Sequence, residues 1–288
     1  MRPGRRWICA WLVSAVGTLA FATTASATLE PIDSVTLHSG GGAASWDPVT
    51  LGFGCLTGGY SPVDDGSFTS GVTHGDGFDG GLVFHVYSKT AGYVGFRDGD
   101  GQGDHVGESL TVGPRSVAGL RIAETDTGLP GPPTLRALVK LTNTTSHKRT
   151  RVVALCSNLG SDESTGIRAS STGDHTFTVG DRWVVTSDSA TTPSDPPVTH
   201  VFSGKGDLRV TKTGLCGPGG QSDCVGQQMR LTLGAHTTRY LLFFAEMHFT
   251  NGPAIADASK YNNKNLTAAL RSGLSQTVRN RILNWDLG

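Results

Sequence analysis

The chain has 288 residues, with 24 basic and 24 acidic side chains, and only 17% of its residues are charged. A chain this close to neutral lacks the positive field that nucleic acids and anionic lipids attract, which argues against both as partners. Its 40 glycines and its many threonines, serines and valines, with few glutamates and lysines, predict a mostly β fold.

The first 27 residues have the three parts of a secretory signal peptide. Three arginines lie among the first six residues, an uncharged apolar run extends from Trp7 to Ala22, and residues 25–27 read Ala-Ser-Ala, a cleavage motif. The apolar run is shorter than the about 20 residues that a membrane span needs. The sequence therefore predicts a signal peptide over residues 1–27, a secreted, extracellular product starting at Thr28, and no membrane span after cleavage.

The predicted product, residues 28–288, is long enough for a single large β-sandwich domain. Without the three arginines it has 21 basic and 24 acidic residues, a net charge of −3.

Four cysteines remain in this product, and export to an oxidising compartment favours disulfides between them. Four cysteines allow three connectivities. The turn-rich stretch GPGGQSD favours Cys216 with Cys224, and Cys55 with Cys156 then follows by elimination. A metal site is the alternative, but it has no C-x-x-C spacing to support it.

Alternating apolar and polar residues predict strands along the chain. Residues 81–89 place Leu82, Phe84 and Val86 on one face, and residues 134–141 alternate in the same way. The glycine-rich tract 95–107 between them is predicted to be a surface loop. Further strands are predicted at 149–157, 167–171, 175–179, 181–187, 198–203, 208–212 and 228–233. Many short strands joined by turns indicate an all-β, antiparallel β-sandwich.

The segment 240–249 is apolar on both of its faces. Alternate residues from Leu241 to Phe249 form one face, and Tyr240, Leu242 and Phe244 form the other. Such a strand is predicted to lie in the middle of a sheet that is covered on both sides.

The end of the chain changes period and predicts a short helical segment at about 256–285. Gly273 marks the end of one helix and Ser275 the N-cap of the next. Leu274, Val278 and Ile282 recur at every fourth residue, so we expect them to pack on the edge of the sandwich, with Trp285 completing the contact.

The second half of the chain resembles a family of exported bacterial proteins. The matching features in order are TLRALVKLTNTTS, then CSNLGSDESTGIRASSTGDHTFTVGDRWVVTSD, then DPPVTHVFSG, RYLLFFAEMH and RILNWDL. The resemblance implies an all-β, sandwich-type extracellular protein, and it implies no catalytic residue.

Two groups of residues are candidates for chemistry. Asp98, Asp100 and Gln102, with Asp104 close behind, have the alternating oxygen spacing of a Ca²⁺ loop, although the acid expected at the twelfth position is absent. If this loop binds a cofactor, the spacing predicts that it is Ca²⁺. The alternative is that these residues only form ordinary surface turns.

The second group is Glu246 and His248. Residues two apart on a strand point the same way, so the carboxylate and the imidazole share a face. A partly buried carboxylate there would have a raised pKa and would suit a general acid. A structural role at the strand end is the alternative.

The sequence therefore favours a secreted, non-catalytic β-sandwich that binds an extracellular glycan or other cell-surface material. Sugar rings would stack on aromatic residues such as Trp46, Tyr60, Tyr87 and Tyr93. The alternative is a carbohydrate-active hydrolase or lyase that uses Glu246 and His248 as its acid and base.

Overall fold

The computed structural model describes residues 26–54, 56–97, 99–204, 208–214, 223–263 and 266–288. Residues 1–25 of the predicted signal peptide lie outside the described residues. In chain order the strands are β1 Thr28–Pro31, β2 Leu37–Ser39, β3 Ala44–Phe53, β4 Gly58–Ser70, β5 Val72–His74, β6 Val83–Ser88, β7 Gly92–Gly95, β8 Gln102–Val106, β9 Ser109–Val117, β10 Leu120–Gly128, β11 Thr134–Thr142, β12 Arg149–Asn158, β13 Gly166–Ser170, β14 Trp183–Ser187, β15 Val198–Val201, β16 Arg209–Thr213, β17 Cys224–Leu233 and β18 Thr238–Met247. The α-helices are α1 Asn251–Ala258 and α2 Gln276–Arg279, and 3₁₀ turns lie at Ile32–Ser34, Gly40–Gly42, Asp162–Ser164 and Ser259–Asn262.

The strands form three antiparallel sheets. The largest has nine strands in the order β1-β8-β9-β10-β11-β18-β15-β14-β13, the second has the order β16-β17-β12-β6-β7, and the third has the order β2-β3-β4-β5. Buried side chains from all three sheets, including Trp46 of β3, Leu155 of β12 and Ile122 of β10, join in one apolar core. The all-β sandwich with short C-terminal helices is therefore confirmed.

Strand β18 lies in the interior of the nine-stranded sheet, between β11 and β15, and it is covered on both faces as predicted. Leu241 and Phe243 belong to the core between the sheets. Leu242 and Phe244 point the other way into a second apolar cluster with the C-terminal residues Tyr261 and Trp285, among others. The molecule therefore has a third layer, the C-terminal layer, formed by residues 251–263 and 266–288 over the outer face of this sheet.

The C-terminal layer differs from the predicted helices at 256–285. Helix α1 begins earlier, at Asn251, and residues 268–273 form turns that end at Gly273, whose φ of 74° is left-handed. Ser275 is the N-cap of α2 as predicted, since its side chain accepts a hydrogen bond from the Val278 backbone N–H. The layer covers a sheet face and not the predicted sandwich edge, because the outer side of β18 is itself apolar.

One strand prediction and one loop prediction were also wrong. Residues 175–179 form no strand because aspartate side chains take the backbone N–H groups that a neighbouring strand would need. Asp174 accepts from Thr176, and Asp181 accepts from Thr178. In the glycine-rich tract, β8 is a strand that pairs with β1 and β9.

Cys156 and Cys224 are each disulfide-bonded. Cys55 and Cys216, the partners predicted for them, lie outside the described residues, so the pairing stays a prediction. Among the described residues, no helix has the length and apolarity to cross a membrane.

Asn284 provides a test of how the C-terminal layer is attached. Its buried side chain accepts from the Leu242 N–H and donates to the carbonyls of Phe202 and Leu242. We predict that Asn284→Ala lowers the free energy of unfolding by about 3 kcal/mol, because the Leu242 N–H and the Phe202 carbonyl lose their partner. Denaturant titration measures the loss. The exposed Asn280→Ala serves as control, and equal effects of the two changes would contradict this role.

Candidate functional site

Glu246 lies at the end of β18, on the side that faces the C-terminal layer, and its side chain is completely buried. Its Oε1 atom accepts hydrogen bonds from the Thr134 hydroxyl at 2.6 Å and the Tyr261 hydroxyl at 2.7 Å. The Lys260 Nζ atom is 2.6 Å from the same oxygen. We call Glu246, Thr134, Lys260 and Tyr261 the Glu246 cluster. It joins β18 to β11 on one side and to the 3₁₀ turn after α1 on the other.

The raised pKa expected for Glu246 is wrong. Burial by itself would raise the pKa of this carboxyl, but His248, the charge of Lys260 and the donated hydrogen bonds together lower its pKa to about 2. A carboxyl with this pKa stays ionised at neutral pH and has no proton to donate. The sequence pattern indicated burial correctly but gave no sign of Lys260, which together with His248 reverses the effect of burial on this pKa.

The second oxygen of Glu246 faces a different set of groups. Its Oε2 atom is 3.7 Å from Nε2 of His248, whose side chain is also buried. Asp257 of α1 completes the group, and the three ligand atoms all lie within 4.8 Å of one another. The structure therefore brings the two predicted residues together and adds a carboxylate that sequence reasoning missed. No motif spacing identifies Asp257, because the chain brings it back to the end of β18 only by turning into α1 after Met247.

The predicted Ca²⁺ residues do not form one loop. Gln102 and Asp104 belong to strand β8, and Asp104 is exposed. The Asp100 carboxylate is paired with Arg115 and accepts from the Gln102 backbone N–H. Asp98 lies outside the described residues. In the part of the chain that the structure describes, three His, Cys, Asp or Glu side chains converge on one point only at Glu246, His248 and Asp257.

A groove of about 700 Å³ crosses the outer face of the nine-stranded sheet, over strands β8 to β11, where the C-terminal layer does not reach. One wall of the groove is formed by Tyr240 of β18 and by Val278 of α2, which belongs to the C-terminal layer. The floor combines apolar and hydrogen-bonding side chains from β9, β10, β11 and β18, namely Leu138, Arg121, Lys140, Thr111, Thr125, Thr142 and Thr238. Asp104 lies at the far rim. We call this site the open-face groove.

Of the aromatic residues predicted to stack on sugars, two are in the wrong place. Trp46 and Tyr60 are fully buried in the core. Tyr87 and Tyr93 lie on the outer side of the β6–β7 hairpin, with ring centroids 5.4 Å apart. Tyr87 is 43% exposed. Alternation along a strand predicts which residues share a face but does not say which face is buried.

The core also contains a pair of acids. Glu124 and Asp126 point inward from β10, and both are fully buried. The Tyr60 hydroxyl donates to Asp126 at 2.6 Å, whereas neither oxygen of Glu124 has a hydrogen-bond partner among the described residues. Burial raises the pKa of Asp126 to about 8, against the effect of the Tyr60 hydrogen bond, and burial and Asp126 raise the pKa of Glu124 well above its usual range.

Comparisons with known proteins give no family for this chain. No family model matches, and no curated protein matches, so the resemblance to an exported bacterial family stays a prediction. Among solved structures, the polysaccharide lyase BACCELL_00875 is 13% identical with a TM-score of 0.43, over 73% of this chain and 34% of the lyase. The chain thus spans about a third of that protein. The Slr1438 protein from Synechocystis sp. PCC 6803 is 9% identical with a TM-score of 0.35, over 75% of this chain and 96% of that one.

The buried acid pair makes stability depend on pH. The folded chain holds protons on Glu124 and Asp126 that the unfolded chain releases near pH 4, so the free energy of unfolding should fall as pH rises from about 4 through about 8. We predict that Asp126→Asn makes this fall shallower, because the amide cannot ionise and its oxygen still accepts from Tyr60.

Chemical denaturation at a series of pH values measures the slope. The exposed Asp104→Asn should keep the slope of the unaltered protein. Stability that stays flat or rises from mildly acidic to alkaline pH would contradict the raised pKa values.

Proposed function

We propose that the protein is secreted and binds an extracellular glycan without transforming it, in the open-face groove. The side chains that line this groove are the main support for the proposal. Sugars present hydroxyls at their edges and C–H groups on their faces, so they need hydrogen-bonding groups next to an apolar surface. The hydrogen-bonding groups are the threonine hydroxyls, Arg121 and Lys140. The apolar surface is formed by Leu138, Val278 and the Tyr240 ring.

The two cations suggest which glycans fit best. Arg121 and Lys140 are exposed on neighbouring strands at the groove floor, and Asp104 is the acidic residue at its rim. Exposed Arg and Lys side chains form charge-assisted hydrogen bonds with carboxylate or sulfate groups. We therefore propose acidic polysaccharides as the preferred class of glycan.

Export supports an extracellular ligand. Strand β1 begins at Thr28, the first residue after the proposed cleavage point, so cleavage would leave the nine-stranded sheet complete. The disulfide-bonded state of Cys156 and Cys224 suits an oxidising compartment, and for it we propose the pairs Cys216–Cys224 and Cys55–Cys156.

Retention of the purified protein on a panel of polysaccharides and cell-wall preparations tests the proposal. We predict retention on an acidic polysaccharide and a loss of affinity of about tenfold or more in the double variant Arg121→Ala/Lys140→Ala, because two charge-assisted hydrogen bonds are removed.

The matched control is Lys148→Ala/Lys212→Ala, which removes two exposed positive charges outside the groove. It should bind like the unaltered protein. Retention on no preparation, or an equal loss in both double variants, would refute binding in the open-face groove.

A further inference from the structure

Two buried polar atoms at the end of β18 have no hydrogen-bond partner among the described residues. They are Oε2 of Glu246, whose side chain is 0% exposed, and Nε2 of His248, whose side chain is 6% exposed. A buried anionic oxygen and a buried ring nitrogen are both costly to leave without a hydrogen bond. At 3.7 Å the two atoms form an ion pair when His248 is protonated, but they are too far apart for a hydrogen bond.

The distance instead suits two ligands of one ion. Zinc bonds to carboxylate oxygen and imidazole nitrogen are about 2.0–2.2 Å long, so two ligands of a tetrahedral ion are about 3.4 Å apart. A small rotation of the His248 side chain closes the 3.7 Å to this value.

A third ligand comes from a separate element. Asp257 lies on α1 next to Ala258, which is buried against the sheet, so its carboxylate is held above the strand end. Its ligand atom lies within 4.8 Å of those of Glu246 and His248, and Asp257 itself is exposed. The group is therefore closed by protein on two sides and open to solvent on the third.

We propose that Glu246, His248 and Asp257 bind one divalent transition-metal ion, with Zn²⁺ as the best match. One imidazole and two carboxylates are a donor set that zinc accepts, with water at the fourth position. Ca²⁺ prefers six to eight oxygen ligands and is the poorer match for a site with an imidazole nitrogen.

The Glu246 cluster supports this site from behind. Thr134, Lys260 and Tyr261 all engage Oε1, which fixes the carboxylate so that Oε2 faces His248. Such outer contacts orient metal ligands in proteins. Lys260 cancels one of the two carboxylate charges and thereby leaves a net charge of −1 for the ion, so we expect moderate rather than extreme affinity.

Calorimetric titration with ZnCl₂ and thermal unfolding with and without Zn²⁺ test the site. We predict one Zn²⁺ per chain and a higher melting temperature, since the ion binds only the folded protein. CaCl₂ at the same concentration should leave the melting temperature unchanged.

Asp257→Asn decides the outcome because Asp257 is exposed on a helix and the variant should fold. Its affinity for Zn²⁺ should fall at least about tenfold, as expected for loss of one charged ligand. If His248→Gln folds, its affinity for Zn²⁺ should fall by a similar factor. The matched controls are the exposed residues in Glu163→Gln and His147→Gln, which should bind Zn²⁺ like the unaltered protein. No Zn²⁺ binding by the unaltered protein, or unaltered affinity in Asp257→Asn, would overturn the proposal, whatever the result for glycan binding.

Discussion

The attraction between the buried carboxylate of Glu246 and the ammonium group of Lys260 is the interaction on which the arrangement of this molecule depends. A carboxylate removed from water is stable only if hydrogen bonds and an opposite charge replace its hydration. Thr134 and Tyr261 supply the hydrogen bonds, and Lys260 supplies the charge. Since Lys260 and Tyr261 follow α1, the carboxylate can be buried only when the C-terminal layer lies over β18.

The C-terminal layer, which this contact attaches to β18, divides the outer face of the nine-stranded sheet into a covered half and an open half. Over β18, β15 and β14 the C-terminal layer covers the apolar residues Leu242, Phe244 and Val185. Strand β11 crosses from one half to the other. Its Arg136 is only 6% exposed and donates to the carbonyls of Leu270 and Ser272, whereas its Lys140 lies open to solvent. The open-face groove begins where the layer ends, so the packing that stabilises the fold also forms one wall of the proposed glycan site.

Much of the fold could be predicted from local patterns. The alternation in residues 240–249 and the polar turns between strands identify an antiparallel sandwich with a doubly covered central strand, because side-chain period and turn chemistry are local properties. Long-range partners could not be predicted in this way. Lys260 changes the pKa of Glu246 in the opposite direction to burial, and Asp257 completes a ligand set that no sequence spacing reveals. The inward direction of Glu124 and Asp126 breaks the usual apolar pattern of a core strand, and the polar residues of β10 therefore conceal which face is buried.

A double-mutant cycle on Glu246 and Lys260 tests the central claim most directly. The free energies of unfolding of the unaltered protein, Glu246→Gln, Lys260→Met and the double variant would be measured at neutral pH with a chelator present, so that no metal ion contributes. We predict that Glu246→Gln alone costs about 3 kcal/mol, and that the double variant is more stable than the sum of the single effects by about 2 kcal/mol. Single effects that add to within about 0.5 kcal/mol would show that the two groups do not interact and would contradict this account.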